Sequence, residues 1–87
     1  MTQILKIIGK KGTKEILYHL EIDEGQYYSD LEEELNINSR TLTRRLNEME
    51  EEGLIDRDLL EDRRVKYTLT SEGEKVREKV KELVDIA

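Results

Sequence analysis

Eighty-seven residues, 36% of them hydrophobic and 5% aromatic, are enough for one modest core and predict a single domain over 1–87. The chain has no cysteine and a single histidine, His19, which excludes disulfides, zinc–thiolate sites, thiol redox sensing and any two-histidine metal site within one copy. Fifteen basic residues against 21 acidic ones leave a formal net charge of -6, so a nucleic-acid reading has to rest on where the positive charges lie.

No stretch is long and apolar enough to span a membrane. The run Ile4, Leu5, Ile7, Ile8 is short and broken by Lys6, and no cleavable signal is visible, so the expected location is cytoplasmic. A charged fraction of 41% without cysteine or tryptophan resembles proteins from hot environments, where ion-pair networks carry more weight; the absence of proline points weakly the other way.

Ile4, Leu5, Ile7 and Ile8 predict a short first helix ending near Gly9 and Gly12. Thr13 offers an N-cap for a second, with Ile16, Leu17 and Leu20 on one face. Asp23-Glu24-Gly25 is a turn signal. Ser29 with Glu32 matches a capping box for a third helix carrying Leu31 and Leu35, which Asn36-Ile37-Asn38 breaks. Asn38 is the expected cap of a fourth helix, over about 39–52, with Leu42, Leu46 and Met49 as its apolar stripe and Gly53 as a left-handed stop. Leu54 to Leu60 and Val65 to Thr70 read as two strands of a hairpin, because Val65, Tyr67 and Leu69 alternate with Lys66 and Thr68. Thr70 or Ser71 caps a long last helix with Val76, Val80, Leu83 and Val84 on its stripe, and Ser71 with Glu74 fits a capping box. The expected fold is mainly α with some β: a winged helix-turn-helix with a two-stranded hairpin wing, over about 54–70, and a C-terminal helix.

The stretches Tyr28-Ser29-Asp30-Leu31, Asn38 to Leu46, Glu52-Gly53-Leu54-Ile55 and Tyr67-Thr68-Leu69-Thr70-x-x-Gly73 resemble the HxlR-type winged-helix transcriptional regulators. The segment from Ile4 to Leu20, with Ile8-Gly9-Lys10 ahead of its helix, fits the same pattern, so the resemblance covers nearly the whole chain. The chain is similar, less closely, to MarR-type and ArsR-type regulators. The resemblance implies sequence-specific binding of double-stranded DNA, a wing on the DNA backbone or in the minor groove, dimerisation through the terminal helices, and a core aromatic at Tyr28. With the composition, it points to a thermophilic archaeal source. Two features depart from the pattern: Leu59-Leu60-Glu61-Asp62 makes the first half of the wing apolar and then acidic, and the cysteine of HxlR-like redox sensors is absent.

With the apolar stripe of the fourth helix turned inward, helical geometry turns Ser39, Arg40, Thr43, Arg44 and Asn47 outward. Hydroxyls, guanidiniums and an amide are the groups that read base edges and phosphates in a major groove. Arg40, Arg44 and Arg45 give three positive charges and no negative one between Asn36 and Asn47. The candidate DNA contacts are Ser39, Arg40, Thr41, Thr43, Arg44, Arg45 and Asn47 on this helix, with Arg63, Arg64 and Lys66 on the wing. The wing arginines have two readings: phosphate contacts, or internal pairs with Glu61 and Asp62. Glu50, Glu51 and Glu52 are expected to form salt bridges with lysines elsewhere. Ile4, Leu5, Ile7, Ile8, Val76, Val80, Leu83 and Val84 lie on terminal helices that a small core leaves partly uncovered, and they form the candidate homodimer interface. Nothing in the spacing suggests a nucleophile–base pair, a phosphate-cradling glycine loop or a metal cluster, so neither enzyme activity nor a cofactor is expected. The competing function is a winged helix that binds protein within a transcription or replication assembly, which exposed apolar residues on the fourth helix would favour.

Overall fold

The computed structural model describes residues 2–20 and 24–86. In chain order the elements are α1 (Thr2–Ile8), α2 (Thr13–His19), β1 (Gln26–Tyr27), α3 (Tyr28–Glu34), α4 (Ser39–Glu51), β2 (Ile55–Leu59), β3 (Val65–Leu69) and α5 (Ser71–Ile86). Asp23 of the expected turn lies outside the described residues.

The ends of α4 follow from local chemistry. Asn38 Oδ1 accepts the Arg40 backbone N–H at 2.8 Å, which satisfies one of the free donors of the first turn. At the other end Gly53 has φ 75. The Gly53 N–H donates to Glu50 O and the Leu54 N–H to Met49 O, at 3.0 and 2.9 Å, closing the helix with the paired bonds of a glycine stop.

Two capping expectations are corrected, and on α5 the structure chooses between the two caps the residues offered. Thr13 is the first helical residue of α2, not its cap; Gly12, at φ 97, precedes it. The Thr13 side chain is buried and donates instead to Ile7 O at 2.7 Å, tying α2 to the end of α1. Ser29 does not cap α3, which starts at Tyr28 with no side-chain cap bond. Pairing of β1 with β3 (Gln26 opposite Tyr67, Tyr27 opposite Lys66) keeps the backbone extended through Tyr27, so the helix begins as soon as the strand releases it. On α5 the cap is Thr70 rather than Ser71. Thr70 Oγ1 accepts the Gly73 N–H at 3.0 Å and donates to Gly53 O at 2.6 Å, joining the end of α4 to the start of α5.

The hairpin pairs Ile55 with Leu69 through Leu59 with Val65. Its tip is closed by Leu60 N–H to Arg64 O and Arg63 N–H to Leu60 O, both 2.9 Å. Arg63 takes the left-handed position, at φ 71, that a three-residue loop requires. The sheet has a third strand that the two-stranded expectation lacks: β1 lies on the free side of β3, giving the antiparallel order β1-β3-β2.

Ile16, Leu17 and Leu20 from the α2 region, Leu31 from α3, Leu42, Leu46 and Met49 from α4, and Leu54, Ile55, Tyr67 and Leu69 from the wing form the core. Ile7 and Val80 contribute one residue from each terminal helix. Gly73 is required by a close approach: a Cβ there would collide with the Leu54 carbonyl and stand 2.8 Å from Leu69 Cδ1. This contact sets α5 down on the base of the wing.

Candidate nucleic-acid interface

Burial of Leu42, Leu46 and Met49 fixes the rotation of α4. Ser39, Arg40, Thr43, Arg44 and Asn47 are all exposed and line one open concavity along the helix. The face carries two guanidiniums, two hydroxyls and an amide, and no carboxylate. Such a surface offers forked donors to guanine and phosphate and an amide to adenine. Thr41 is half-buried and outside this concavity.

Arg45 does not share that face. Its Nε donates to Lys11 O at 2.9 Å and a terminal nitrogen pairs with Glu48 at 3.1 Å, leaving 13% of the side chain exposed. Glu48 also takes Lys10 Nζ at 2.6 Å. The Lys10 hydrogen bond, helped by charge from Lys10 and Arg45, holds the Glu48 carboxyl below the usual glutamate range. Arg45 therefore ties α4 to the α1–α2 connection. Tyr28 makes a second tie from α3: its hydroxyl lies 2.9 Å from Thr43 Oγ1 and donates to Ser39 O at 3.3 Å.

On the wing the two arginines differ. Arg64 Nε donates to Asp62 at 2.7 Å, and its guanidinium sits 4.2 Å from the centre of the Tyr27 ring. The Arg64 backbone N–H also donates to Asp62, and these bonds, backbone first, lower the Asp62 pKa; the Asp62 bond in turn raises that of Arg64. Arg63 stands exposed at the tip and pairs with no carboxylate among the described residues. Both arginines border a shallow hollow with Tyr27, Tyr28, Ser29 and Val65. Lys66 is half-buried on β3. Glu50, Glu51 and Glu52 form no salt bridge among the described residues, contrary to expectation; Lys10, which reaches α4, pairs with Glu48 instead.

Chain positions 4–8 and 76–83 come together at one place. Ile4, Leu5, Ile8, Val76, Val80 and Leu83, flanked by Lys75 and Lys79, line a groove between α1 and α5. Ile7 and Val80 are buried in the domain's own core, and Ile4, Ile8 and Val76 pack partly against it. Leu5, Leu83, Val84 and Ile86 remain exposed, at 73%, 65%, 51% and 82%.

Residues 7–87 match the family described as HxlR-like helix-turn-helix. The chain belongs to that family. Among relatives of this HxlR-like chain is the uncharacterized HTH-type transcriptional regulator MJ0925 of Methanocaldococcus jannaschii, 39% identical over 80 residues, which are 86% of this chain and 70% of the relative. Two solved structures share the fold, each with a TM-score of 0.81. One is ytfH of Salmonella typhimurium, assigned as a transcriptional regulator, at 29% identity over 97% of this chain and 77% of that one. The other is the reduced form of the transcriptional regulator YodB from B. subtilis, at 25% identity over 98% and 85%. The HxlR-like chain is accordingly a DNA-binding transcriptional regulator with a winged helix-turn-helix fold. No helix of the described residues is long and apolar enough to cross a membrane.

Periodicity identified the five outward residues of α4. It left Arg45 off that face; Arg45 entered the candidate contacts through its charge, and its bond to the distant Lys11 carbonyl has no local signal. The Tyr28 hydroxyl was missed for a similar reason: an aromatic beside a helix start signals core, and nothing local shows that its oxygen reaches α4.

Proposed function

We propose that this HxlR-like regulator acts as a homodimer, with α4 of each copy in the major groove and the wing on the DNA backbone. The observation that carries this reading is the exposed, carboxylate-free face of Ser39, Arg40, Thr43, Arg44 and Asn47 in a chain of net charge -6. Arg40 and Arg44 read bases or phosphates, Asn47 and the hydroxyls add base contacts, and Arg63, Arg64 and Lys66 hold the backbone. The whole of 1–87 works as one DNA-binding unit, without cofactor or catalysis, in the cytoplasm. Among the described residues the exposed large hydrophobics are Leu5, Tyr18, Leu59, Leu83, Val84 and Ile86; none lies on α4, which speaks against a protein-binding role for that helix.

The dimer reading rests on the groove between α1 and α5, lined in part by exposed Leu5 and Leu83. A two-fold axis there would set the two α4 helices about 34 Å apart, one turn of the duplex, and imply a pseudo-palindromic site. The test is selection of a binding site from a random DNA pool, followed by titration at several salt concentrations. Arg40→Ala with Arg44→Ala should weaken binding to the selected site by about 1–3 kcal/mol for each base that is no longer read, while the circular dichroism stays unchanged. Unaltered affinity would remove α4 as the reader.

A further inference from the structure

The Tyr28 ring packs partly against the core, but its hydroxyl leaves it and ends on the DNA-facing helix. Two oxygens lie within bonding distance: Ser39 O at 3.3 Å and Thr43 Oγ1 at 2.9 Å. The 2.9 Å contact by itself allows either oxygen to donate, and only one assignment puts a proton in both contacts. A carbonyl oxygen can only accept, so the bond to Ser39 uses the one proton of the phenol. The bond with Thr43 then uses the threonine proton, donated to a phenol lone pair. The opposite arrangement would leave one of the two oxygen pairs without a proton between them. Thr43 lies on the exposed face with Arg40, Arg44 and Asn47. With its proton turned inward, it presents only lone pairs and a methyl group outward.

We infer that Tyr28 is a specificity-determining positioning residue: it holds Thr43 as an obligate acceptor, so that α4 selects a base with an exocyclic amino group at that point. In the major groove those are adenine, through N6, and cytosine, through N4; guanine and thymine show acceptors there and would face the Thr43 lone pairs. This rests on the placing of α4 in the groove, and it adds a base preference that the Arg and Asn side chains do not set.

The experiment is site selection from a random duplex pool with the full chain and with Tyr28→Phe, Thr43→Val and Thr43→Ser. The wild type should prefer adenine or cytosine at one position per half-site by about two- to tenfold, the range of a single hydrogen bond. Tyr28→Phe frees the Thr43 proton to point outward, so that this one preference should collapse while the rest of the site keeps its ranking. Thr43→Val should abolish the same preference, and Thr43→Ser should keep it. A purely structural brace would behave differently: Tyr28→Phe would weaken all sequences alike, and that result, or an unchanged profile, overturns the inference. A Tyr28→Phe chain that loses its fold also overturns the inference, because the hydroxyl would then be structural, and an amino-base preference kept by Thr43→Val overturns it independently. Arg40→Ala and Arg44→Ala in the same selection separate the two levels. If they leave the site unchanged, α4 is not the reader and both readings fall; if they change it and the Tyr28 and Thr43 variants do not, only this inference falls.

Discussion

Arg44 and Arg45 are neighbours in sequence, and replacing each with alanine should give opposite results. Arg45→Ala removes a bond to Lys11 O and one to the Glu48 carboxylate from a side chain that is 13% exposed. Bonds to charged groups contribute about 1.5–3 kcal/mol when well shielded. Here Glu48 keeps Lys10, and water can reach the freed Lys11 carbonyl, so the net destabilisation is about 1–2 kcal/mol. In a domain of this size that lowers Tm by about 5–10 °C. DNA affinity, measured well below the lowered Tm, should hardly change. Arg44→Ala removes an exposed side chain, so its stability should stay within about 0.5 kcal/mol, while specific binding falls by about 1–3 kcal/mol. Thermal unfolding by circular dichroism and fluorescence anisotropy on the selected site give the two readouts. If Arg45→Ala leaves Tm unchanged and costs as much affinity as Arg44→Ala, Arg45 reads DNA and its assignment as an internal tie is wrong.

Arg63→Ala should lower affinity for all DNA sequences alike and reduce the salt slope by about 0.9 for each phosphate it leaves unneutralised; Arg64→Ala should do less, because Asp62 already balances much of its charge, and a sequence-selective effect would contradict the backbone assignment. Leu5→Glu with Leu83→Glu, both exposed, should give a monomer at tens of micromolar in sedimentation equilibrium while each copy stays folded; Val80 is not a suitable target, since it is buried in the core. Gly73→Ala should cost about 2–3 kcal/mol through its collision with Leu54, seen as a lower urea midpoint. The Glu48 carboxyl is held below its ordinary value of 4.5 in the fold, so its stabilisation is present above that pH and is lost as the pH falls through the lowered value. Glu48→Gln should therefore lower Tm near neutral pH and flatten the acid limb of Tm against pH; an acid limb as steep as the wild type would show that the Lys10 and Arg45 bonds do not hold the carboxylate.

Elements with a long repeat or a definite stop were legible from the residues. The α4 stripe, its Asn38 cap and the Gly53 stop need only local geometry, and the alternation of Val65, Tyr67 and Leu69 marks β3 unaided. What escaped depends on distant partners. β1 is two residues long and exists because β3 has a free edge, so no periodicity reveals it. Ser29 has the chemistry of a cap, yet the strand pairing at Tyr27 starts the helix earlier. The apolar residues of α1 look equivalent in sequence, but only the packed structure separates buried Ile7 from exposed Leu5. The candidate site shows the same division. Helix rotation placed the outward face, whereas the roles of Arg45, Arg64 and the Tyr28 hydroxyl are set by partners 34, 2 and 15 residues away, the nearest of them one that the residues alone left with two readings.

The negative charge of the chain and its DNA-binding role are compatible because the charges are segregated. Glu32, Glu33 and Glu34 are exposed on α3, Glu50 and Glu51 on the last turn of α4, Asp56 and Asp58 on β2, and Glu72, Glu74, Glu78 and Glu82 on α5. None of them enters the face of Ser39, Arg40, Thr43, Arg44 and Asn47. Non-specific affinity grows with the number of phosphates that basic side chains can neutralise, whichever way the protein lies. The exposed faces of α3, β2 and α5 carry the acidic side chains named above, which would repel a duplex laid against them. A tilt of α4 that lowered its C-terminal end toward the DNA would press Glu50 and Glu51 on phosphate, at the end where the helix dipole is already negative. If that face is the reader, we propose that binding confined to it is less diverted to indiscriminate sites than binding over a basic body would be.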